Sequence, residues 1–272
     1  STRKESSAAS DVYKRQVYSI YGKTRKPSPE MLKDIDVLIY DIQDNGCRSF
    51  TFISTMGLAM EACAEQGKTF MVLDRPNPVG GNKIEGNLTE DSCVSFVSQF
   101  PIPYLYGLTP GELAMYLNDN GLLAGGKKVD LKVVPMQGYT RDMDFRDTGM
   151  PWVLPSPHMP VPESCIYYPM SGILGELYYM SIGVGYTEPF KLFCADWTNA
   201  EELSKALNDR NIPGLMFRPI HIKPFYSTGK GENYQGVEVY VTDKDAAPLS
   251  LTQFYVMEEL ARLYPEQGKI FD

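Results

Sequence analysis

The chain has 272 residues, 43% hydrophobic and 22% charged, which is ordinary globular composition for one large domain or two smaller ones. Its net charge of −8 and pI of about 5.0, without basic runs, argue against nucleic acid or an anionic membrane as partner. The five cysteines (Cys47, Cys63, Cys93, Cys165, Cys194) form no CxxC pair and only His158 and His221 accompany them, so no zinc site, redox dithiol or disulfide scaffold is indicated; no run has the length of a membrane span.

Residues 1–16 are polar and patternless. Residues 7–16 resemble a peptide that recurs in translated environmental assemblies as adapter-derived sequence, so this stretch reads as a non-native tail in place of the true start. Residues 17–20 are expected to form a short strand. Ser28 then caps a short helix with Pro29 at its first position. Residues 36–41 form a buried strand that ends in a polar run carrying Asp41, Gln43, Asp44, Gly46 and Arg48. A helix is expected from about residue 50 to residue 66, because Phe52, Met56, Ala59, Met60 and Cys63 recur at helical spacing and Gly67 stops it. Residues 70–73 are a second buried strand, cut off at Asp74-Arg75. Pro76 and Pro78 then hold Asn77 in a stiff loop, and Gly80-Gly81 precede Glu85. Strand, helix and strand make a parallel, right-handed βαβ unit. Both polar strand ends then share the sheet edge where open α/β sheets bind ligands. The competing reading is a turn whose Asp and Asn side chains bond local backbone.

Further on, Thr109-Pro110 opens a helix in which Glu112 completes a capping box, a reading that stands against a catalytic role for Glu112. Residues 129–134 form a strand and residues 138–152 wrap the surface. The proline-dense run near residues 151–162 is a rigid connector and the expected boundary between domains at 17–153 and 154–272. Ser156 and His158 lie too close in this extended run to serve as a nucleophile pair, and no nucleophile elbow is present. The glycines at 172, 175, 183 and 185 allow close backbone approach, without the Lys-Ser/Thr end of a phosphate loop. A helix at 200–208, strands at 214–220, 222–226 and 236–242, and a helix at 249–264 make this half α+β.

The order of these motifs carries a resemblance. Tyr21-Gly22 comes with Pro27, then Asp41-Ile42-Gln43-Asp44 with Gly46 and Arg48. Leu73-Asp74-Arg75-Pro76-Asn77-Pro78 follows with Gly80-Gly81 and Glu85-Gly86, then Thr109 with Gly111-Glu112. Pro155-Ser156-Pro157, Gly183, Gly185 and Pro189-Phe190 close the set. This resembles the exo-β-N-acetylmuramidase (NamZ-type) family over nearly all of residues 17–265. The resemblance implies an α/β fold: a Rossmann-like N-terminal domain with a mainly parallel sheet, plus a smaller α+β C-terminal domain, with the site in the cleft between them. It implies hydrolysis that releases N-acetylmuramic acid from the non-reducing ends of peptidoglycan fragments. It further implies no nucleotide or metal cofactor, and export or a place in cell-wall recycling. Two departures stand out. The family's Pro-Glu-His-Gly motif, whose glutamate is a leading catalytic candidate, has no match in residues 1–16. An acid and an arginine of the family's Ser-Glu-Gly-Arg-Gly-Thr segment are replaced by Ile182 and Val184. The chain also stops short of the family's usual C-terminal end.

Glycoside hydrolysis needs an acid for the leaving oxygen and a second carboxylate as base or nucleophile. Glu85 ranks first, because it follows the stiff loop at a strand end, and Glu176 of the glycine-rich segment second; the acid needs its pKa raised by burial. Asp41, Gln43, Asp44, Asp74, Asn77 and Glu112 are candidates for holding sugar hydroxyls or neighbouring arginines. Arg48 and Arg75 suit the lactyl carboxylate of muramic acid, against internal ion pairs with Asp44 or Asp74. Tyr106, Tyr168 and Tyr186 either stack on a sugar ring or belong to the core. The expected partners are muramic-acid-containing saccharides. The rival reading is a non-catalytic cell-wall saccharide-binding protein: two acids in the cleft favour the enzyme, one the binder. A dinucleotide enzyme is disfavoured, since the turn at 41–50 has one glycine and no GxGxxG.

Overall fold

The computed structural model describes residues 9–10, 16–22 and 24–268. The tail reading of residues 1–16 thus falls largely outside the described residues. Ala9–Ser10 pairs antiparallel with Gln16–Val17, and residues 18–20 take no strand, so the strand expected at 17–20 shrinks to this two-residue ladder.

Helix α1 (Pro29–Leu32) starts where Ser28 Oγ accepts the Met31 N–H at 3.4 Å. Strand β1 (Val37–Tyr40), helix α2 (Phe52–Gln66) and strand β2 (Thr69–Leu73) form the expected unit, with β1 and β2 parallel and Val37 opposite Thr69. Helix α2 ends where Gly67 takes a left-handed φ of 61° and returns its N–H to the Cys63 carbonyl, a conformation that a Cβ would strain. Two short strands, β3 (Ile84–Glu85) and β4 (Leu105–Tyr106), pair antiparallel. Helix α3 (Pro110–Asp119) opens with the full capping box: Thr109 Oγ1 accepts the Glu112 N–H, and the Glu112 carboxylate accepts the Thr109 N–H. Strand β5 (Asp130–Val134) joins β2 in parallel, giving the order β1-β2-β5.

Tyr40, Phe70 and Val72 of this sheet meet Met56 and Met60 of α2 and Leu113 and Leu117 of α3 in one core. The first strand is not buried on both sides as expected. Val37 and Ile39 are exposed while Tyr40 is buried, the alternation of a strand with one covered face.

The second half contains helix α4 (Ser164–Glu176), strand β6 (Leu192–Ala195), helix α5 (Ala200–Asp209), strands β7 (Leu215–Ile222) and β8 (Tyr234–Val241), and helix α6 (Thr252–Leu263). Its sheet is antiparallel, ordered β6-β8-β7. The strands expected at 214–220 and 222–226 are a single strand, β7. It tolerates Pro219 because it lies at the sheet edge. Helix α4 was not expected at all. Pro169, Gly172 and Gly175 are breaker signals in sequence, yet Cys165, Met170 and Leu174 enter the core and hold the segment helical. Gly175 leaves room there for the end of the Ile182 side chain, which a Cβ would push aside. The core of this half joins Met170, Leu174, Phe193, Leu203, Val237, Val256 and Leu260. It also takes in Cys47, Val79 and Leu105 from the first half.

Candidate functional site

A cavity of 820 Å³ opens where the two halves meet. Residues 49–52, just before and at the start of α2, form one side, and residues 155–159 of the proline-rich connector another. Tyr168 and Glu176 of α4, Ser181, Ile182, Val184 and Tyr226 complete it. Ser49 Oγ donates toward Tyr104 Oη at 3.0 Å and Tyr168 Oη at 3.3 Å. The Tyr168 ring meets Phe50 and Phe190 edge-on, and burial pushes its phenol pKa upward. Across the cavity His158 Nε2 and Tyr226 Oη share a 2.8 Å hydrogen bond, with the rings stacked at 5.9 Å. Ser156 lines the same wall without bonding His158. Glu176 sits at the last turn of α4, exposed to the cavity; its carboxylate makes no hydrogen bond or ion pair with any described residue and acts only electrostatically on the Tyr168 phenol. Among the described residues it is the only carboxylate that lines this space, and no lysine or arginine does.

A smaller cavity of 290 Å³ lies at the carboxyl ends of β1 and β2 and shares Phe52 and Pro155 with the larger one. Asp41, Gln43 and Arg75 line it. Arg75 Nε and Nη2 lie 2.8 and 2.6 Å from Asp41 Oδ1, so its partner is Asp41 and not Asp44 or Asp74. Both groups are partly exposed, where such a pair contributes little stability and stays exchangeable. Gln43 Nε2 donates to the Asp44 and Pro76 carbonyls at 2.8 and 2.9 Å, which ties the two strand-end loops together.

The remaining polar candidates are committed inward. Asp44 is buried, and Oδ2 accepts the Gly46 N–H at 2.8 Å and the Tyr106 hydroxyl. Burial raises its carboxyl pKa to about 6, against the pull of these donors. Tyr106 is therefore a core residue, 4% exposed. Asn77 is buried beside it: Nδ2 donates to the Leu108 carbonyl and Oδ1 accepts the Val79 N–H. Its Oδ1 lies where a Cβ on Gly46 would stand, which accounts for a glycine at φ 83° there. Asp74 accepts the Gly111 N–H at 2.8 Å, the Thr109 hydroxyl at 2.9 Å and the Arg75 N–H at 3.0 Å, an anion at the N-terminus of α3. Burial raises its pKa above the ordinary carboxylate value. Glu112 completes the capping box and pairs with Arg141. Arg48 donates to the Asn87 and Ile102 carbonyls and finds no acid partner among the described residues, and burial lowers its pKa. The ion pair with Asp44 weighed for Arg48 does not form.

Glu85 lies outside both of these cavities. Its carboxylate accepts the Ser250 N–H at 2.7 Å, the Ser250 hydroxyl at 2.8 Å and the Leu249 N–H at 3.2 Å, just ahead of α6, and Lys83 Nζ is 3.1 Å away. The geometry makes Glu85 a tether between the two halves. The structure therefore separates the two acids ranked highest from sequence, Glu85 and Glu176. It brings forward Ser49 and Tyr226, which have no local signal, and gives His158, set aside as a partner of Ser156, a partner in Tyr226: Ser49 and Tyr168 meet across 119 positions. Among the described residues no group of three or more His, Cys, Asp or Glu is placed to hold a metal ion, and no helix is long and apolar enough to cross a membrane.

Family models for the exo-β-N-acetylmuramidase NamZ match the chain twice, the N-terminal model over residues 1–163 and the C-terminal model over residues 166–272. The peptidoglycan β-N-acetylmuramidase NamZ of Bacillus subtilis is 47% identical over 250 residues, which is 92% of this chain and 59% of that protein. The chain thus spans less than two thirds of that relative's length. A crystal structure of a DUF1343 family protein from Bacteroides fragilis superposes with a TM-score of 0.93 at 61% identity, covering 96% of this chain and 67% of that one. A second DUF1343 family protein from the same organism gives a TM-score of 0.71 at 26% identity, over 90% of this chain and 66% of the other. Two family models that together take in nearly every residue, on a two-part α/β fold shared with these structures, show that the chain belongs to the NamZ family.

Proposed function

We propose that the large cavity holds the terminal sugar of a peptidoglycan fragment and that the chain serves a glycoside hydrolase releasing N-acetylmuramic acid from non-reducing ends. One observation carries the choice of site: the Glu176 carboxylate faces the cavity with no hydrogen bond or ion pair to a described residue, whereas Asp44, Asp74, Glu85 and Glu112 are held by internal donors. The bond class follows from the activity named for the Bacillus relative. In a two-carboxylate mechanism one group protonates the leaving oxygen while the other acts as base or nucleophile, and Glu176 takes one of these roles. Tyr168, Tyr226 and His158 offer ring faces and hydrogen-bonding groups for a sugar. Through the shared Phe52–Pro155 edge, Arg75 is the cation for the lactyl carboxylate, which would displace Asp41 from it. A protein acting on such fragments works on the cell-wall side or in wall recycling.

A second reading has its own support. One carboxylate among the described cavity residues suits a protein that binds cell-wall saccharides without cutting them. Both readings are tested by incubating the chain with a muramyl disaccharide, following free N-acetylmuramic acid by mass spectrometry and affinity by calorimetry. The hydrolase reading expects release that falls by roughly 100-fold or more in Glu176→Gln, with affinity kept. Binding without release supports the binder. No binding by the wild-type chain overturns the site itself.

A further inference from the structure

A second cavity of 820 Å³ lies wholly in the C-terminal half, with Tyr186, Lys223, Phe225, Lys230, Asn233 and Tyr234 among its walls. It stands back to back with the first. Ser181, Ile182 and Val184 face the first cavity and Tyr186 the second; Tyr226, Ser227 and Thr228 face the first, and Lys223, Phe225 and Lys230 the second. The partition is stiff. The Phe225 N–H donates to the Gly185 carbonyl at 2.7 Å, and the Gly231 N–H to the Pro224 carbonyl at 2.9 Å. A Cβ on Gly185 would collide with the Tyr226 carbonyl, and Ser227 holds a left-handed φ of 65°.

Tyr186 and Tyr234 pack on Leu192, Cys194 and Ile222 beneath this space, and two of its features face solvent. The rings of Tyr186 and Phe225 lie 14° from parallel at 6.1 Å, and Phe225 is 69% exposed, an apolar face kept in solvent. The ammonium groups of Lys223 and Lys230 make no hydrogen bond or ion pair with any described residue, in a chain of net charge −8. The acids acting on this region, Asp196 and Glu232, bear on the Tyr234 phenol and raise its pKa after desolvation does.

We infer that this cavity is a second saccharide site, one that takes an acidic amino-sugar glycan. A sugar ring packs on the Phe225–Tyr186 faces, and a carboxylate carried by the glycan or its peptide meets Lys223 and Lys230. The identity of the glycan rests on the cell-wall reading above. A polymer long enough to pass round the partition would engage both cavities, the second holding the wall polymer while the first holds its end.

Phe225→Ala and the double variant Lys223→Ala/Lys230→Ala test this, both changes being at exposed or half-buried side chains. The probes are purified peptidoglycan sacculi in a sedimentation assay, a muramyl disaccharide for the first cavity, and poly-L-glutamate as a plain polyanion. Each variant is expected to lose about ten-fold in sacculus affinity and to handle the disaccharide within two-fold of wild type. Unchanged sacculus affinity in either variant overturns the inference. So does a loss confined to the lysine variant and matched by poly-L-glutamate, which marks a simple anion patch. If wild type neither binds nor cleaves the disaccharide, the first cavity's reading fails while the sacculus comparison still decides the second.

Discussion

Glu85→Ala removes an anion that joins the halves of the molecule. The lost contacts are three hydrogen bonds, at 2.7, 2.8 and 3.2 Å, and an ammonium at 3.1 Å, around a side chain only 16% exposed. Hydrogen bonds to a charged group contribute about 1.5–3 kcal/mol each. Here three donors share two oxygens and one bond is long, so a loss of roughly 3–5 kcal/mol is expected, the range for stripping one member from a buried charge pair. Lys83 limits the damage, since Nζ also donates to the Asp245 and Ala247 carbonyls at 2.9 and 2.7 Å. Glu85→Gln keeps acceptor oxygen for Ser250 and should lose only about 1–2 kcal/mol. Urea unfolding followed by fluorescence reads this directly, because Trp152 and Trp197 both pack on the second core. Saccharide binding or release per folded molecule should stay within a few-fold of wild type. The tether account is refuted if Glu85→Ala loses less than about 1 kcal/mol, or if a fully stable Glu85→Gln protein loses activity by orders of magnitude, which would return Glu85 to the chemistry.

Asp44 makes stability depend on pH. Burial raises its folded pKa to about 6, above the ordinary 3.8, so the folded chain holds this proton more tightly than the unfolded one. Its contribution to stability is fully present below about pH 4 and is lost as pH rises through about 6, on the order of 3 kcal/mol. Asp44→Asn keeps an oxygen for the Gly46 and Tyr106 donors, so it should be at least as stable as wild type at pH 8 and flatten that fall; marked destabilisation at pH 8 in chemical unfolding would count against it. Gly185→Ala places a Cβ against the Tyr226 carbonyl at φ 96°, and a loss of about 2 kcal/mol or more is expected in thermal melts, with weaker saccharide binding. Arg75→Ala should raise KM or Kd about ten-fold for a muramic-acid-terminated substrate and leave a ligand without the lactyl group unaffected; equal effects on both would detach Arg75 from that carboxylate.

Much of the first half is legible because its signals are local. The capping box at Thr109 and Glu112, the Gly67 stop and the 3.6-residue spacing of Phe52, Met56 and Met60 act within a turn or two, and each forms as read. Helix α4 hides because Pro169 and two glycines lower its propensity, while the forces that hold it come from the core. Strand β6 hides because Leu192, Phe193, Cys194 and Ala195 are all buried and show no alternation. The site divides in the same way. Position at a strand end marks Asp41, Asp44, Asp74 and Arg75 as polar groups at the right edge, but it does not tell which are occupied by neighbours. Glu85 ranked first on that basis, and its true partner, Ser250, lies 165 residues along the chain. Glu176 ranked second and is the acid left open.

One amide determines where that open acid stands. Gln253, fully buried on α6, donates through Nε2 to the Pro169 carbonyl at 2.9 Å and accepts the Ile173 N–H through Oε1 at 3.0 Å. Those two backbone groups are the ends of a single rung of α4, so a side chain from another helix is spliced into its ladder. The last turn, with Glu176 on it, is therefore aligned by α6 as well as by its own first half. Since Gln253 also donates to the Ser250 carbonyl, beside the Glu85 carboxylate, a mechanical line runs from the first half through α6 to the rim of the cavity. A change at position 253 would re-aim the cavity acid without touching any residue that lines the cavity, and a carboxylate there, having no donor for the Pro169 carbonyl, would open the splice at one end.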